Sequence, residues 1–322
     1  MKGNQEMRKK ITITNSQNLT IKQAHELFIR KCTVQNLSEK TLKVYNNHFG
    51  IFSLTVNVDD PINTITSATV DDFVLYLRSN NKCNEITINS YLRSIRAFLY
   101  YCMEENYIPS FKIKMIKAEK KIKETYSDSE LERLLRKPDI KSCSFTTYKT
   151  WVFENYLLGT GNRLSTALNV KVKDIDFYNH TITLAKTKNR RQQIIPLSRS
   201  LAEILTAYLE IRGNEPDNYV FCNQYGEQGN ARTYQDLVAK YNHQRGVVKK
   251  SIHLFRHTFA KQWILSGGDI FRLQKILGHS DLSVTKEYVQ MFGADLQMDF
   301  ERFNPLDNLR SNEKKEKITM KK

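Results

Sequence analysis

HLFRHTFAKQWILSGGDIFRLQKILGHSDLSVTKEY, residues 253–288, combines helix-forming residues with polar side chains at fixed intervals. Four of these polar residues stand out by their spacing, namely His253, Arg256, His279 and Tyr288. His253 and Arg256 are three residues apart and would share one face of a helix. Glycines end two of the predicted helices, so the second of these histidines follows a helix stop and the tyrosine lies on the next helix. Packing explains the aromatic and aliphatic residues, whereas the four polar side chains predict a functional site.

The spacing of His253 and His257 also suits two ligands of a metal ion. The glutamate of an HExxH motif is missing, however, and His279 is the only obvious third ligand. A packed, hydrogen-bonded histidine is the better interpretation of His257. We therefore predict no metal site.

The composition favours two domains and a polyanionic partner. A chain of 322 residues suggests about two domains of roughly 100–200 residues each. Lys and Arg total 50 against 34 Asp and Glu, which gives a net charge of +16. Nucleic acid is the first candidate partner and an anionic membrane surface the second, although a basic protein can also lack such a partner.

The cysteines and the apolar segments indicate a reducing cytoplasm. The five cysteines are scattered, form no CxxC pair, and predict neither a zinc ribbon nor a disulfide framework. The sequence has no secretory signal pattern and no run of about 18 apolar residues, so we expect no membrane span.

Residues 18–108 predict a four-helix domain after a flexible segment at residues 1–17. Apolar residues recur at three-to-four spacing in each helical segment, as in LTIKQAHELFIRKC at residues 19–32. Basic side chains on these helices predict contacts with a DNA backbone, the alternative being a solvated face. They are Lys22, Lys40, Lys43, Arg78, Arg93 and Arg96.

Residues 109–124 predict a basic linker with little apolar periodicity. The segment is either a solvated tether or a strap that crosses a phosphate backbone. The lysines that we expect to contact DNA here are Lys112, Lys114, Lys120 and Lys121.

Residues 125–306 predict a second, mainly α-helical domain with a small sheet, before a disordered basic tail at residues 307–322. Ser127 and Glu130 form a capping box pattern at its start. HTITLAK (residues 180–186) and QQIIPLS (residues 192–198) alternate with period two and predict a β-hairpin.

Two further basic positions complete the candidate site. Arg163 follows the glycines of GTGNRLSTALNV (residues 159–170) at the start of a predicted helix, a place suited to phosphate. Lys186 and Lys188 lie in the turn of the predicted hairpin. Each motif is weak alone, but their order and spacing are jointly specific.

The set resembles the tyrosine recombinase family, also called phage integrases. HLFRHTFA resembles the family's H-x-x-R box, LGHSDLSVTKEY its LGH…Y box, and GTGNRLSTALNV its first arginine box. The last departs from the family pattern at Asn162 and at Thr166, where an acidic residue is common. The resemblance covers residues 18–300 and implies a SAM-like core-binding domain followed by a catalytic domain.

The resemblance also implies a chemistry of DNA strand cleavage and rejoining. Tyr288 would attack phosphorus to leave a 3′-phosphotyrosine, with His253 as its base. Arg163 and Arg256 would neutralise the phosphate oxygens. His279 would hydrogen-bond the phosphoryl group or orient the site. Lys188, or alternatively Lys186, would protonate the leaving 5′-oxygen. No cofactor, metal or nucleotide is expected.

The family resemblance implies a C-shaped clamp on double-stranded DNA and a homotetramer on an inverted-repeat recombination site. Residues 291–306 are a candidate docking helix that binds a neighbouring copy or folds back on its own domain. The biological task would be integration or excision of a mobile element, or replicon resolution, with a possible accessory or partner recombinase. The alternatives are a DNA-binding protein without catalysis and a monomeric nicking enzyme that resembles type IB topoisomerases.

Overall fold

The computed structural model describes residues 19–79, 83–119, 124–185, 192–223 and 225–292, with the backbone alone at 290–292. The chain divides into two compact units, residues 1–120 and 121–322. The first unit is helical, and the second is helical with one small sheet, which confirms the predicted mainly α fold. Among the described residues, no helix combines the length and apolar character needed to cross a membrane.

The first unit contains the four predicted helices. They are α1 (Ile21–Val34), α2 (Glu39–Phe52), α3 (Ser67–Ser79) and α4 (Glu85–Glu104). Thr20, Ser38 and Asn84 cap α1, α2 and α4 by accepting hydrogen bonds from backbone N–H groups of the first turn. The apolar faces meet in one core, in which Phe52 and Phe73 are fully buried.

The predicted linker does not begin as a loose tether. Ile113 is buried against the core of the first unit, while Lys112 and Lys114 on either side of it are exposed. The Asn89 amide donates to the Ile116 carbonyl at 2.8 Å and accepts from its N–H at 2.9 Å. The segment from Phe111 to Ile116 thus packs on the first unit. Its side chains alternate between core and solvent with a period of two over residues 111–115, a pattern that the flanking lysines conceal in the sequence. Lys120 and Lys121 lie outside the described residues.

The second unit is built around α6, a helix buried on nearly all sides. Its helices are α5 (Asp128–Leu135), α6 (Phe145–Thr160), α7 (Leu164–Ala167), α8 (Arg199–Arg212), α9 (Ala231–Gln244), α10 (His253–Leu265), α11 (Ile270–Leu277) and α12 (Leu282–Phe292). Helices α5, α8, α9 and α10 all pack against α6. The capping box of Ser127 and Glu130 is present at the start of α5, as predicted.

A three-stranded antiparallel sheet lies in the second unit, in the order β1 (Ile175–Asp176), β2 (Thr181–Leu184) and β3 (Gln193–Pro196). The β2–β3 pair, with Ile182 opposite Ile195, confirms the predicted hairpin. Strand β1 was not predicted, because two residues are too few to show an alternation.

Helices α10, α11 and α12 form a small cluster of their own. Leu273, Leu277 and Tyr288 are buried in it beside Ala260, and the Phe259 and Trp263 side chains pack against them. The predicted docking segment, residues 291–306, lies outside the described residues except for the backbone of its first two. The cluster brings the helices of the LGH…Y box onto the helix of the H-x-x-R box.

Candidate active site

The turn before α7 places Arg163 beside the end of α11. Gly161 ends α6 in the left-handed conformation, with φ +62°. A Cβ atom at this position would lie 2.6 Å from the Phe259 ring and 2.8 Å from the Leu277 side chain. Only glycine therefore fits here without displacing these neighbours. The turn lets Arg163, the N-cap residue of α7, reach the Leu277 carbonyl with Nη1 at 3.5 Å.

Arg256 is the centre of the hydrogen-bond network. Its Nη1 donates to the Gly161 carbonyl and its Nη2 donates to the Leu277 carbonyl, each at 2.8 Å. The side chain is buried, and desolvation together with the nearby charge of Arg163 lowers the Arg256 pKa to about 10. The Leu277 carbonyl thus accepts hydrogen bonds from both arginines.

The same guanidinium contacts His279, which follows the stop of α11 at Gly278. Arg256 Nη2 lies 2.7 Å from His279 Nε2, and His279 Nδ1 lies 2.8 Å from the Thr285 hydroxyl. Arginine can only donate, so Nε2 accepts and the imidazole hydrogen resides on Nδ1. His279 is therefore neutral in this arrangement and donates to Thr285.

Tyr288 completes this group from α12. Its side chain is buried, and its ring is parallel to that of His279, with the centroids 6.4 Å apart. Its hydroxyl lies 2.7 Å from His257 Nδ1. Desolvation raises the Tyr288 pKa, and the charges of Arg256 and Arg163 oppose that rise. The phenol is accordingly protonated at neutral pH and needs a proton acceptor before it can act as a nucleophile.

The two histidines of α10 differ in their surroundings. His253 is exposed at the first residue of the helix, where partial desolvation and the charges of Arg256 and Arg163 lower its pKa. In the described part of the chain, the α10 histidine that contacts the Tyr288 hydroxyl is His257. The sequence pattern had favoured a packing role for His257. Its position one helical turn after His253 was the only available signal.

The predicted lysines, Lys186 and Lys188, lie outside the described residues. The structure does describe Gln193, which begins β3 on the other side of the hairpin turn. Its side-chain amide donates to the Ile276 carbonyl at 3.0 Å and also to the Lys275 carbonyl. Gln193 thus ties the hairpin to the end of α11, a role that no sequence pattern indicated.

Most of the basic residues predicted to contact DNA are on the surface. Arg96 is half-buried, with its guanidinium 5.8 Å from the centre of the Tyr100 ring. The exposed members of the set are Lys22, Lys40, Lys43, Arg78, Arg93, Lys112 and Lys114. In the described ranges, no group of three or more His, Cys, Asp or Glu side chains is placed to hold a metal ion.

Family comparisons identify the class of enzyme that this site serves. The sequence model of the Phage integrase family matches residues 124–293, and that of the Phage integrase SAM-like domain matches residues 21–122. The chain therefore belongs to the phage integrase family of tyrosine recombinases. Members of this family cleave and rejoin DNA through a tyrosine intermediate, and the chain is a site-specific DNA recombinase.

Individual relatives match most of the chain. Tyrosine recombinase XerC of Staphylococcus aureus (strain MRSA252) is 27% identical over 286 residues, which are 84% of this chain and 93% of the relative. Tyrosine recombinase XerD of Listeria monocytogenes (strain EGD-e) is 24% identical over 285 residues, 84% of this chain and 94% of the relative. Both relatives carry the tyrosine recombinase name, in agreement with the family assignment.

Solved structures share the fold. The Tn1549 transposon integrase, in complex with transposon right end DNA, superposes with a TM-score of 0.71 at 20% identity, covering 84% of this chain and 94% of that one. A lambda integrase dimer bound to a COC′ core site gives a TM-score of 0.66 at 16% identity, covering 83% and 97%. These likenesses confirm the predicted architecture of a SAM-like domain followed by a catalytic domain.

Proposed function

We propose that Tyr288 is the nucleophile of this recombinase and that Arg163, Arg256 and His279 hold the scissile phosphate. The observation that carries this proposal is the hydrogen-bond network in which Arg256 joins the Leu277 carbonyl to His279, with Tyr288 packed beside it. A phosphodiester repels nucleophiles because its non-bridging oxygens are negative. Two guanidinium groups at one point neutralise this charge as it builds up in the transition state.

The reaction begins when the Tyr288 oxygen attacks phosphorus and the bond from phosphorus to the 5′-oxygen breaks. The product is a 3′-phosphotyrosine, with the leaving oxygen protonated by a lysine of the β2–β3 turn. We propose Lys188 for this role, with Lys186 as the alternative. A histidine of α10 accepts the phenolic proton. The candidates are His253, predicted from the sequence, and His257, which contacts the hydroxyl.

Double-stranded DNA is the proposed partner of both units. The net charge of +16 and the exposed lysines and arginines of the first unit support backbone contacts. The related structures of Tn1549 integrase and lambda integrase contain DNA. We propose that the four-helix domain, the basic segment at residues 109–124 and the catalytic domain each contact the DNA of an inverted-repeat site.

A homotetramer is the proposed active assembly. Exchange between two duplexes requires cleavage of four strands, and each chain supplies one Tyr288. The lambda integrase structure holds two copies on one core site, which supports a pair of copies on each of two sites. Residues 291–306 are the proposed docking segment between copies. Mass measurement by light scattering on the DNA complex tests this, since a final complex with one or two copies contradicts it.

We propose a cytoplasmic setting, in which the enzyme integrates or excises a mobile element or resolves a replicon, with or without a partner recombinase. Trapping on nicked suicide duplexes tests the chemistry. The duplexes carry DNA that flanks the gene, and the adduct is mapped by mass spectrometry. We expect a covalent peptide at Tyr288 and none with Tyr288→Phe, which still binds DNA. An adduct at another residue, or binding without any adduct after addition of host extract, contradicts the proposal.

A further inference from the structure

We propose that His257 accepts the proton of the Tyr288 hydroxyl during strand cleavage and returns it during rejoining. This inference rests on the proposed role of Tyr288 as nucleophile and adds the group that activates it. His257 lies one helical turn after His253, outside the six positions that the family resemblance singled out. It touches the reacting oxygen itself, and it would therefore be a catalytic residue.

The contact between His257 and Tyr288 is short and well enclosed. The Nδ1–Oη distance is 2.7 Å, the usual length of a strong O–H···N hydrogen bond, and the ring centroids are 5.7 Å apart. Tyr288 is only 2% exposed, so bulk water is poorly placed to take its proton. Helices α10 and α12 pack directly on one another, which holds the two side chains in register.

Hydrogen-bond roles around the phenol favour His257 as the acceptor. The positive charge of the nearby Arg256 guanidinium favours the ionised phenol, and arginine can only donate hydrogen bonds. Arg256 therefore cannot take up the phenolic hydrogen, which the hydroxyl keeps to donate. An unprotonated His257 Nδ1 at 2.7 Å receives that hydrogen when the imidazole carries its own on Nε2. This arrangement has a general base already in place before DNA arrives.

The position of His253 suits a different task. It is exposed at the first residue of α10, and its lowered pKa keeps it neutral at physiological pH. An exposed neutral imidazole beside two arginines is placed to meet a phosphate from solvent. His257 is on the Tyr288 side of the same helix. His253 would then bind the phosphate, and His257 would accept the proton of the nucleophile.

The proposed step balances in atoms and charge. The Tyr288 proton moves to His257 Nδ1 as the bond from the phenolic oxygen to phosphorus forms and the bond from phosphorus to the 5′-oxygen breaks. The lysine of the β2–β3 turn supplies a proton to the leaving oxygen. His257 becomes an imidazolium. In rejoining, the 5′-hydroxyl returns its proton to the lysine of the β2–β3 turn and its oxygen bonds to phosphorus. The bond from phosphorus to the phenolic oxygen breaks, and His257 gives its proton back to the departing phenolate.

The first experiment measures single-turnover adduct formation by His257→Asn on a suicide substrate across a range of pH. Asparagine can accept a hydrogen bond from the hydroxyl but cannot take up its proton. We expect a loss of about 10²–10⁴-fold, the usual contribution of a general base. His243→Asn, at an exposed position in the last turn of α9, is the matched control and should cleave like the wild type.

The second experiment replaces Tyr288 by a fluorinated tyrosine, introduced at this codon alone. Fluorine acidifies the phenol, so cleavage depends less on a base. We expect the His257→Asn defect to shrink at least tenfold in this background, while the His253→Ala defect stays unchanged. This readout separates proton transfer from positioning, because a purely structural role of His257 does not depend on the acidity of the phenol.

Three results would overturn the proposal. These are wild-type cleavage by His257→Asn, a His257→Asn defect that fluorination leaves intact, and a fluorine rescue that appears with His253→Ala instead. If the His257→Asn variant fails to fold, the pH dependence of cleavage by the fluorotyrosine protein with His257 present decides. The proposal requires that its cleavage rate falls less steeply at low pH, where the base becomes protonated, than the rate of the wild type. An adduct that maps away from Tyr288 in the wild type contradicts the proposed function itself, which keeps the two failures distinct.

Discussion

Arg256 Nη2 lies 2.7 Å from Nε2 of His279, and this single contact fixes the protonation state of the histidine. The guanidinium donates, the imidazole accepts, and Thr285 receives the remaining imidazole hydrogen at 2.8 Å. A protonated His279 would direct an N–H group at a cation. The site is therefore arranged around a neutral imidazole whose Nε2 becomes available to another partner only after Arg256 is drawn towards a phosphate.

The buried Thr285 hydroxyl should be needed to orient His279. In Thr285→Val the shape is kept but the acceptor for His279 Nδ1–H is lost. We expect covalent cleavage to fall by about 10- to 100-fold, as it does when histidines at metal sites lose an orienting partner. Thr285→Ser keeps the hydroxyl and should retain most of the activity. Equal rates for the valine and serine variants would exclude this role.

Arg256→Lys should separate charge from geometry. Lysine keeps the positive charge but lacks the planar fork that reaches Gly161, Leu277 and His279 together. We expect adduct formation on a suicide substrate to drop about 10²–10³-fold, the usual cost of one lost transition-state donor. DNA affinity in a mobility-shift assay should change little.

Arg272→Lys, on the exposed surface of α11, provides the control for the arginine variant. It should match the wild type in cleavage rate and in DNA affinity. An Arg256→Lys protein that cleaves at the rate of this control would show that charge alone suffices at Arg256.

Glu154 should make the catalytic unit less stable at high pH. It is fully buried in α6, and its carboxylate oxygens have no hydrogen-bond partner within the described part of the chain. Desolvation raises its pKa well above the ordinary 4.5, and the charge of Arg245 only partly opposes this. Above pH 4.5 the unfolded chain releases this proton while the folded chain keeps it. Stability therefore falls as pH rises towards the folded-state pKa.

The change in unfolding free energy from this group should reach about 1.4 kcal/mol per pH unit within that window. Urea unfolding followed by tryptophan fluorescence measures it, because both tryptophans, Trp151 and Trp263, lie in the catalytic unit. Glu154→Gln should flatten the pH dependence, and Glu203→Gln, exposed on α8, should leave it as in the wild type. Parallel pH curves for all three proteins would contradict the prediction.

Lys112 and Lys114 should contribute to DNA affinity through phosphate contacts. Both side chains are exposed on the segment that packs against the first unit. Replacing both by Ala should reduce the slope of log K against log salt by about 2, since each phosphate contact contributes about 0.9. Lys31→Ala should leave the slope unchanged, because Lys31 is paired with Glu104 and Glu105 at 3.3 and 3.0 Å. Equal slopes for the double variant and the control would show that Lys112 and Lys114 do not contact DNA phosphates.

Sequence patterns predicted the helices and strands of this protein better than the side-chain contacts between them. The helices of both units and the β2–β3 hairpin followed from periodicity, and the motif boxes led to the residues that Arg256 brings together. The partner of His257 could not be foreseen, because it depends on how α10 and α12 cross. The packing of Ile113 was missed because the surrounding lysines mask a period-two pattern. The burial of Glu154 could not be foreseen, because α6 also contains other polar residues and burial depends on tertiary neighbours.

The anchors of Arg256 on Gly161 and Leu277 are main-chain carbonyls, and this has a consequence for genetics. No substitution removes a main-chain carbonyl. A saturation mutagenesis screen would therefore detect the loss of Arg256 but not the loss of the carbonyl oxygens that accept its hydrogen bonds. Gly161 should nevertheless score as intolerant, because any Cβ there meets Phe259 and Leu277. A screen of this recombinase would thus mark Gly161 as essential although it need never touch DNA. Second-site suppressors of Gly161 substitutions should arise at Phe259 and Leu277.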